Sequence, residues 1–177
     1  MRPVEFFSSL KEGPLLPLYY FYGDEQYLRD RAIQQLLRRW GEKINRGINF
    51  EVYSGESTPL STIIANARTV PFLGKQKIII VKEAEKTSTS GKDLLGAYLK
   101  KPNPKTILIF TGNAFNFRGD SRTFFNQNGL VREFKQPYPK EISDWIKYIA
   151  KDLGKLVKDR AAQLILELVG NRLQDIS

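Results

Sequence analysis

Two segments of the sequence occupy positions where an α/β nucleotide hydrolase keeps its phosphate-binding and metal-binding residues. The turn at residues 23–26, Gly-Asp-Glu-Gln, follows the apolar run 18–22, and Lys82-Glu83 follows the apolar run 78–81. A phosphate-binding loop would be rich in glycine and end in Gly-Lys-Ser or Gly-Lys-Thr. A strand end that holds magnesium would supply Asp followed by Glu. The sequence therefore predicts no catalytic, nucleotide-binding or metal-binding residues and no cofactor.

The amino-acid composition excludes several other kinds of catalytic site. The chain of 177 residues contains no cysteine and no histidine. Thiol nucleophiles, disulfides, Cys/His zinc sites and Ser-His-Asp triads all require at least one of these residues. Much of the common chemistry of enzymes is therefore unavailable to this chain.

The charge of the chain suits an anionic partner such as nucleic acid, because the net charge is +9. The basic residues are spread over several predicted helices. Arg29, Arg31, Arg38 and Arg39 lie on one helix among core positions, and Lys82, Lys86 and Lys92 flank a loop. This helix could contact phosphates directly, or it could present an ordinary solvated face. We favour the solvated face, and direct DNA contact stays an alternative.

Five short apolar runs alternate with helical patterns along most of the chain. They cover residues 18–22, 50–53, 78–81, 107–110 and 130–134. The first, third and fourth runs are almost continuously apolar, which is typical of strands that are covered on both faces. The predicted fold class is therefore α/β, with a five-stranded parallel sheet flanked by helices.

The helices between these runs are predicted from apolar stripes and end signals. The first covers residues 27–40, with Asp24 as its N-cap and Gly41 as its C-terminal stop. The second begins with Thr58 as N-cap and Pro59 at the first helical position. Two further helices are predicted from the stripe Leu94, Leu95, Tyr98 and Leu99 and from residues 121–127.

The pattern changes near residues 136–139, Gln-Pro-Tyr-Pro, from alternating elements to helices alone. We therefore predict an α/β domain at residues 1–138 and the start of a small helical domain at residues 139–177. Two amphipathic helices and the first turn of a third cannot bury both their faces, so this second domain is expected to be incomplete. The sequence has no signal-peptide features and no window near the roughly 20 apolar residues of a membrane span, which predicts a cytoplasmic protein.

The segment after the second helix carries two large apolar residues in a short connector. Pro71 prevents regular continuation of the helix and Gly74 permits a tight turn, so Phe72 and Leu73 lie just before the third strand. Together with Val70, they form a candidate docking corner, Val70-Pro71-Phe72-Leu73. Burial of each large side chain in a partner would contribute about 1.5–3 kcal/mol. From the residues alone, the favoured alternative is that both side chains fold back over the base of the helix.

The arrangement of strand ends resembles the layout of the AAA+ ATPases. A strand, turn and helix come first, an apolar strand ends in Lys82-Glu83, and a later strand ends in Thr111-Gly112-Asn113. In active members of this superfamily a polar residue at the last of these positions senses the γ-phosphate. Only Asn113 matches its active counterpart, so the resemblance implies an AAA+-like (RecA-like) fold without ATP hydrolysis.

Five segments, in order and spacing, are similar to the delta subunit of bacterial DNA polymerase III, a component of the sliding-clamp loader. They are LYYFYGDEQYL at 18–28, NFEVYSG at 49–55, ARTVPFLG at 67–74, VKEAEK at 81–86 and LVGN at 168–171. The resemblance implies that a hydrophobic pair after the second helix enters a pocket on the sliding clamp, the beta subunit, and promotes ring opening. The family pair is usually Leu-Phe, whereas this chain has the inverted order Phe72-Leu73.

The resemblance also implies partners and limits. The family continues through further helical domains that contact the other clamp-loader subunits, so this chain is expected to bind the clamp without assembling a complete loader. Two other functions stay open beside this hypothesis. One is a basic nucleic-acid-binding module, and the other is a divergent nucleotide-dependent enzyme whose phosphate site uses Gly23 and nearby amides.

Overall fold

Helices and strands alternate through most of the chain. In the computed structural model the described residues are 3–40, 48–72, 76–88, 91–117, 119–169 and 173–176. The helices are α1 (Pro3–Glu12), α2 (Gln26–Trp40), α3 (Leu60–Arg68), α4 (Lys92–Lys100), α5 (Ser121–Asn128), α6 (Pro139–Asp152), α7 (Asp159–Val169) and α8 (Leu173–Ile176). The strands are β1 (Leu18–Tyr22), β2 (Phe50–Ser54), β3 (Lys77–Lys82), β4 (Thr106–Gly112) and β5 (Gly129–Glu133), and a single turn of 3-10 helix follows β3 at Ala84–Lys86.

The five strands form one parallel sheet in the order β2-β3-β4-β1-β5. Every residue of β4 is buried, and β1 and β3 are buried except at their last residues. Such strands read as continuous apolar runs because helices cover both faces of a parallel sheet. The predicted α/β fold with a five-stranded parallel sheet is confirmed.

Aromatic residues fill much of the core beside β1 and β4. The ring of Tyr20 lies 5.7 Å from that of Phe110 and 5.6 Å from that of Phe125, and Phe110 lies 5.2 Å from Phe117. Tyr20 donates its hydroxyl proton to the carbonyl of Ala114 at 3.0 Å. Burial raises the pKa of Tyr20, so the hydroxyl keeps its proton and remains a donor. The cluster thereby ties the loop after β4 to the centre of the sheet.

Two sequence predictions about the helices differ from the structure in detail, and a third is not tested by it. Pro59 with extended ψ is the N-cap of α3, so the prediction of Thr58 as N-cap is wrong by one residue. The physical reason is that the Pro59 carbonyl accepts the first helical bonds, from Thr62 and Ile63. Leu94, predicted to lie in the buried stripe of α4, is 42% exposed. Gly41, the predicted stop of α2, lies outside the described residues.

The chain divides into two compact units. Residues Gly13–Phe134 form the α/β unit, and α1 joins the C-terminal helices in the other. In the helical unit, the ring of Phe7 lies 5.4 Å from that of Trp145, and Lys11 forms an ion pair with Asp152 at 2.7 Å. This division differs from the predicted domains 1–138 and 139–177, which assigned α1 to the α/β part.

None of the helices within the described ranges combines the length and apolarity that a bilayer-spanning segment requires.

The close approach of β5 to β1 depends on glycine at the start of β5. A Cβ atom at Gly129 would lie 2.2 Å from the carbonyl oxygen of Leu18 and 2.5 Å from its Cβ atom. We expect Gly129→Ala to lower the free energy of unfolding by about 1–3 kcal/mol, because the strands must move apart. Gly96, in α4, has no heavy atom within 4 Å of the equivalent position, so Gly96→Ala should raise stability by about 0.5–1 kcal/mol. Urea denaturation of both variants checks the two signs, and a destabilised Gly96→Ala would contradict this account.

Candidate functional site

The corner after α3 projects two apolar side chains from the α/β unit. The helix ends where Thr69 adopts an extended conformation, with φ −70° and ψ 150°. Val70 is 70% exposed and Phe72 is 65% exposed, whereas Pro71 between them is buried. Phe72 is therefore not folded back over the base of the helix. Leu73, the fourth residue of the predicted corner, lies outside the described residues, as does Gly74.

The main chain of Phe72 is held by the side chain of Asn49. The Phe72 N–H donates to Asn49 Oδ1 at 3.1 Å, and Asn49 Nδ2 donates to the Phe72 carbonyl at 2.7 Å. Asn49 is 1% exposed, and its own carbonyl accepts from the N–H of Ile78 at 2.8 Å. The corner is thus joined by a buried amide to the amino ends of β2 and β3.

The carboxyl end of α3 is held by two further side chains from the same edge of the sheet. Asn103 Nδ2 donates to the carbonyls of Ala67, Arg68 and Thr69 at 3.3–3.4 Å. Lys77 Nζ donates to Thr69 Oγ1 at 2.8 Å. The last carbonyls of a helix lack partners within the helix and accept hydrogen bonds from side chains such as that of Asn103. The helix dipole also stabilises a cation such as Lys77 near this end.

The buried ammonium of Lys77 lies in a small polar network between β2 and α3. Its Nζ atom is 3.4 Å from Glu51 Oε1 and 2.5 Å from Asn66 Oδ1. The other carboxylate oxygen of Glu51 accepts from Tyr53 and Asn66. Desolvation and the hydrogen bond to Glu51 raise the pKa of Tyr53. A buried charge is tolerated when it is paired and hydrogen-bonded, so this network fixes the helix end that leads into the corner.

The opposite, carboxyl edge of the sheet is where a nucleotide hydrolase would bind phosphates. There the N–H of Gly23 donates to the Gly112 carbonyl at 3.2 Å, and the N–H of Glu25 donates to the Phe134 carbonyl at 3.1 Å. A Cβ atom at Gly23 would lie 2.2 Å from the Phe134 oxygen. The backbone after β5 therefore occupies the space beside this turn and accepts from the Glu25 N–H, while β4 accepts from the Gly23 N–H.

The first turn of α2 is capped by a carboxylate of the chain itself. Glu25 Oε1 accepts from the N–H of Tyr27 at 3.1 Å. The prediction of Asp24 as N-cap is therefore wrong, because the helix begins at Gln26 and Glu25 is the residue before it. Desolvation raises the pKa of Glu25. A helix N-terminus is an anion-binding position, and here a side-chain anion takes the place that a phosphate would need.

Asn113, at the end of β4, is also bound within the protein. Its Oδ1 atom accepts from Arg29 Nη2 at 3.1 Å, and its N–H donates to Glu85 Oε2 at 3.1 Å. A Cβ atom at Gly112 would lie 1.8 Å from Glu85 Oε2, so this carboxylate packs directly against the Gly112 backbone. Arg29 is buried. The polar residue that matched a γ-phosphate sensor thus joins α2 to the turn after β3.

Glu83, at the end of β3, takes part in an ion pair rather than an open carboxylate cluster. Its Oε1 atom is 2.7 Å from Lys86 Nζ, and its Oε2 atom accepts from Ser54 Oγ at 3.1 Å. Hydrogen bonds from Lys86 and then from Ser54 lower the pKa of Glu83. Within the described part of the chain, no group of three or more acidic residues is arranged to hold a metal ion.

The model of one protein family, described as DNA polymerase III, delta subunit, matches residues 19–135. This chain belongs to that family. The matched range contains both the corner at 70–73 and the strand ends of the carboxyl edge. The resemblance in the sequence analysis is thereby confirmed.

Two relatives from Bacillus subtilis are similar to this delta-family chain along nearly all its length. DNA polymerase III subunit delta of strain 168 is 26% identical over 182 residues, which cover 97% of this chain and 52% of that protein. The solved structure of the Bacillus subtilis DNA clamp loader delta protein (YqeN) is 25% identical, with a TM-score of 0.82, and the match covers 99% of this chain and 55% of that one. The chain thus spans about half the length of these relatives.

More distant structures share the fold of the delta-family chain. A DNA polymerase III gamma subunit-related protein from Thermotoga maritima is 13% identical, with a TM-score of 0.55, over 99% of this chain and 57% of that one. The RuvB Holliday junction branch migration motor from Thermotoga maritima is 15% identical, with a TM-score of 0.54, over 98% of this chain and 56% of that one. The predicted AAA+-like fold is confirmed.

Sequence reasoning missed the side chains that support the corner. Asn49, Lys77 and Asn103 were not among the predicted site residues, yet each binds the end of α3 or Phe72. The sequence contained one weak signal, which is that Asn49 stands directly before an apolar strand. An asparagine that becomes buried in such a position requires a specific hydrogen-bond partner. Arg29 was interpreted as part of a basic face, but it is buried against Asn113.

The ion pair at the carboxyl edge predicts a shifted titration. We expect Lys86→Gln to raise the pKa of Glu83 toward its ordinary value, because the largest cause of the lowering is removed. Since the wild-type pKa is lowered, the pair stabilises the fold above the ordinary pKa of glutamate, and this effect is lost as the pH falls through the lowered value. Carbon-13 NMR titration of the side-chain carboxyl measures the change. Lys147→Gln, which removes an ion pair with Asp159 in the helical unit, is the control and should leave Glu83 unaltered; an unaltered Glu83 in Lys86→Gln would refute the assignment.

Proposed function

We propose that this chain is the clamp-binding part of a noncatalytic clamp-loader delta subunit. In this proposal the corner Val70-Pro71-Phe72-Leu73 docks on the sliding clamp, the beta subunit of DNA polymerase III. The observation that carries the proposal is the 65% exposure of Phe72 on a corner whose backbone is held by a buried amide. Exposed aromatic side chains on a fixed backbone are typical anchors of protein interfaces. Membership of the delta subunit family supports the choice of partner.

Docking promotes ring opening only if it discriminates between two states of the clamp. A partner that binds the open and the closed ring equally does not change their ratio, however tightly it binds. The corner must therefore gain contacts, or relieve strain, in the opened ring. The other clamp-loader subunits are also proposed as partners, through regions like those that the B. subtilis relatives have outside the matched half.

The absence of nucleotide hydrolysis is part of the same proposal. It is supported by the use of the Gly23 and Glu25 amides within the fold, and by the Glu25 carboxylate at the start of α2. Lys86 and Ser54 engage Glu83, the acidic residue nearest to a magnesium-holding position. The chain would then act on the clamp mechanically, through binding energy alone and without hydrolysing nucleotide.

A nucleic-acid-binding module is the second candidate, because the net charge is +9. The burial of Arg29 weakens it, since this residue is not available on the helix face that would contact phosphates. The two functions differ in their dependence on salt. Affinity for DNA falls steeply as salt is raised because counterions are released, whereas docking of an apolar corner depends weakly on salt.

The proposed docking is tested by removing the apolar pair, Phe72 and Leu73. Phe72→Ala combined with Leu73→Ala should weaken binding to the sliding clamp by about 100-fold or more, because each side chain contributes about 1.5–3 kcal/mol when buried. Surface plasmon resonance with immobilised clamp measures the loss, and circular dichroism checks that the fold is kept. Leu164→Ala with Leu168→Ala is the matched control, since these leucines are also exposed but lie on α7 in the helical unit. Retained affinity in the Phe72/Leu73 variant would remove the proposed mechanism.

The second prediction concerns nucleotide. Titration of the chain with MgATP to about 1 mM in a calorimeter should produce no heat of binding, because the Glu25 carboxylate already occupies the first turn of α2 and would repel a phosphate there. A functional AAA+ ATPase titrated in the same buffer provides the positive control. A saturable heat with this chain would favour the divergent nucleotide-dependent enzyme instead.

A further inference from the structure

Asn49 and Phe72 form a two-sided hydrogen-bonded pair across 23 positions of sequence. The planar amide of Asn49 accepts from the Phe72 N–H at 3.1 Å and donates to the Phe72 carbonyl at 2.7 Å. Both hydrogen-bonding groups of the Phe72 main chain are thereby used. The same residue exposes 65% of its surface, so its backbone is held from inside while its ring stays available outside.

The pair is suited to asparagine and to few other residues. A carboxamide carries a donor and an acceptor in one plane, which matches the N–H and C=O of a single residue. Aspartate would accept from the N–H but would set a second oxygen against the Phe72 carbonyl. Alanine would leave both backbone groups without this partner. The buried position of Asn49, fixed further by the bond from the Ile78 N–H to its carbonyl, removes freedom from the amide itself.

A fixed backbone changes the energetics of docking. A flexible connector must lose conformational freedom when a partner binds it, and this loss lowers affinity. A connector that already has its bound conformation loses less. The neighbouring supports act on the helix end, where Asn103 binds the carbonyls of α3 and Lys77 binds Thr69, but Asn49 alone of these three bonds to Phe72 itself.

We propose that Asn49 is a positioning residue that holds the main chain of Phe72 in the conformation that docks, and so contributes to affinity for the clamp without touching it. The inference rests on the proposed clamp-binding function. It assigns to the residue before β2 a role in recognition, beyond its role in the sheet. Its removal should weaken binding to the sliding clamp about 10-fold, which is less than the loss of the apolar pair itself.

The experiment compares three single variants of the whole 177-residue chain by surface plasmon resonance against the clamp. Asn49→Ala should lose about 10-fold in affinity, and Phe72→Ala should lose at least as much. Asn128→Ala is the matched control, because Asn128 Nδ2 also donates to main-chain carbonyls, those of Leu99 and Phe124. The control should bind the clamp within twofold of wild type, even if it lowers stability as much as Asn49→Ala does.

A double-variant cycle separates positioning from general destabilisation. If Asn49 acts through Phe72, then Asn49→Ala should change clamp affinity by less than twofold in a Phe72→Ala background. A full 10-fold loss in that background would overturn the inference. If Asn49→Ala keeps wild-type affinity while Phe72→Ala loses it, the positioning role fails and the clamp-binding function stands. If Phe72→Ala keeps wild-type affinity, the clamp-binding function fails at this corner.

A measurement on the unaltered chain covers the case in which the Asn49 variant does not fold. The Phe72 amide proton should exchange with deuterated water at least 100-fold more slowly than in an unstructured peptide, before any partner is added. NMR hydrogen exchange provides this value for the free protein. Exchange of the Phe72 amide at the unprotected rate would show a connector without a fixed conformation and would overturn the inference.

Discussion

Buried polar groups must find partners, and this constraint shapes both edges of the parallel sheet. At the carboxyl edge, the amides after β1 bond to the carbonyl of the last residue of β4 and to the carbonyl that follows β5, and the Glu25 carboxylate caps α2. At the amino edge, the connector after α3 bonds to the side chains of Asn49, Lys77 and Asn103. The same requirement therefore engages the amides after β1 within the chain at one edge and holds the backbone of an exposed aromatic residue at the other. The two edges are consequently suited to different tasks.

The internal use of charge follows from the same constraint. Lys77 is buried and paired with Glu51, and Arg29 is buried and bonded to Asn113. Both residues count toward the net charge of +9. Neither side chain is available at the surface for direct contact with an anionic partner, because each is buried and bonded to residues of the same chain. A sum of charges over the sequence therefore overstates the number of cationic side chains that the α/β unit offers for direct contact with phosphates.

The secondary structure could be predicted well because apolar runs and helical stripes are local patterns. The run at residues 107–110 lies within β4, and the stripe at 27–40 corresponds to α2. The helix caps were less predictable, because adjacent residues such as Asp24 and Glu25 offer the same chemical group and only the backbone geometry selects one. The grouping of α1 with α6 was also not visible, because Phe7 and Trp145 are distant in sequence and any apolar face could have covered either ring.

By itself, the sequence determined the class of fold, the lack of cysteine and histidine chemistry, the missing phosphate-binding lysine, and the position of an apolar pair after a proline. These properties depend on residue types and short spacings, which are complete in the chain as written. Only the tertiary structure decided that Phe72 is exposed while Pro71 is buried. It also decided that the Asn49 side chain bonds to the main chain of Phe72 and that Glu25 caps α2. Hydrogen bonds between residues far apart in sequence exist only after parallel strands have brought the loops at each edge together, so no local pattern could specify them.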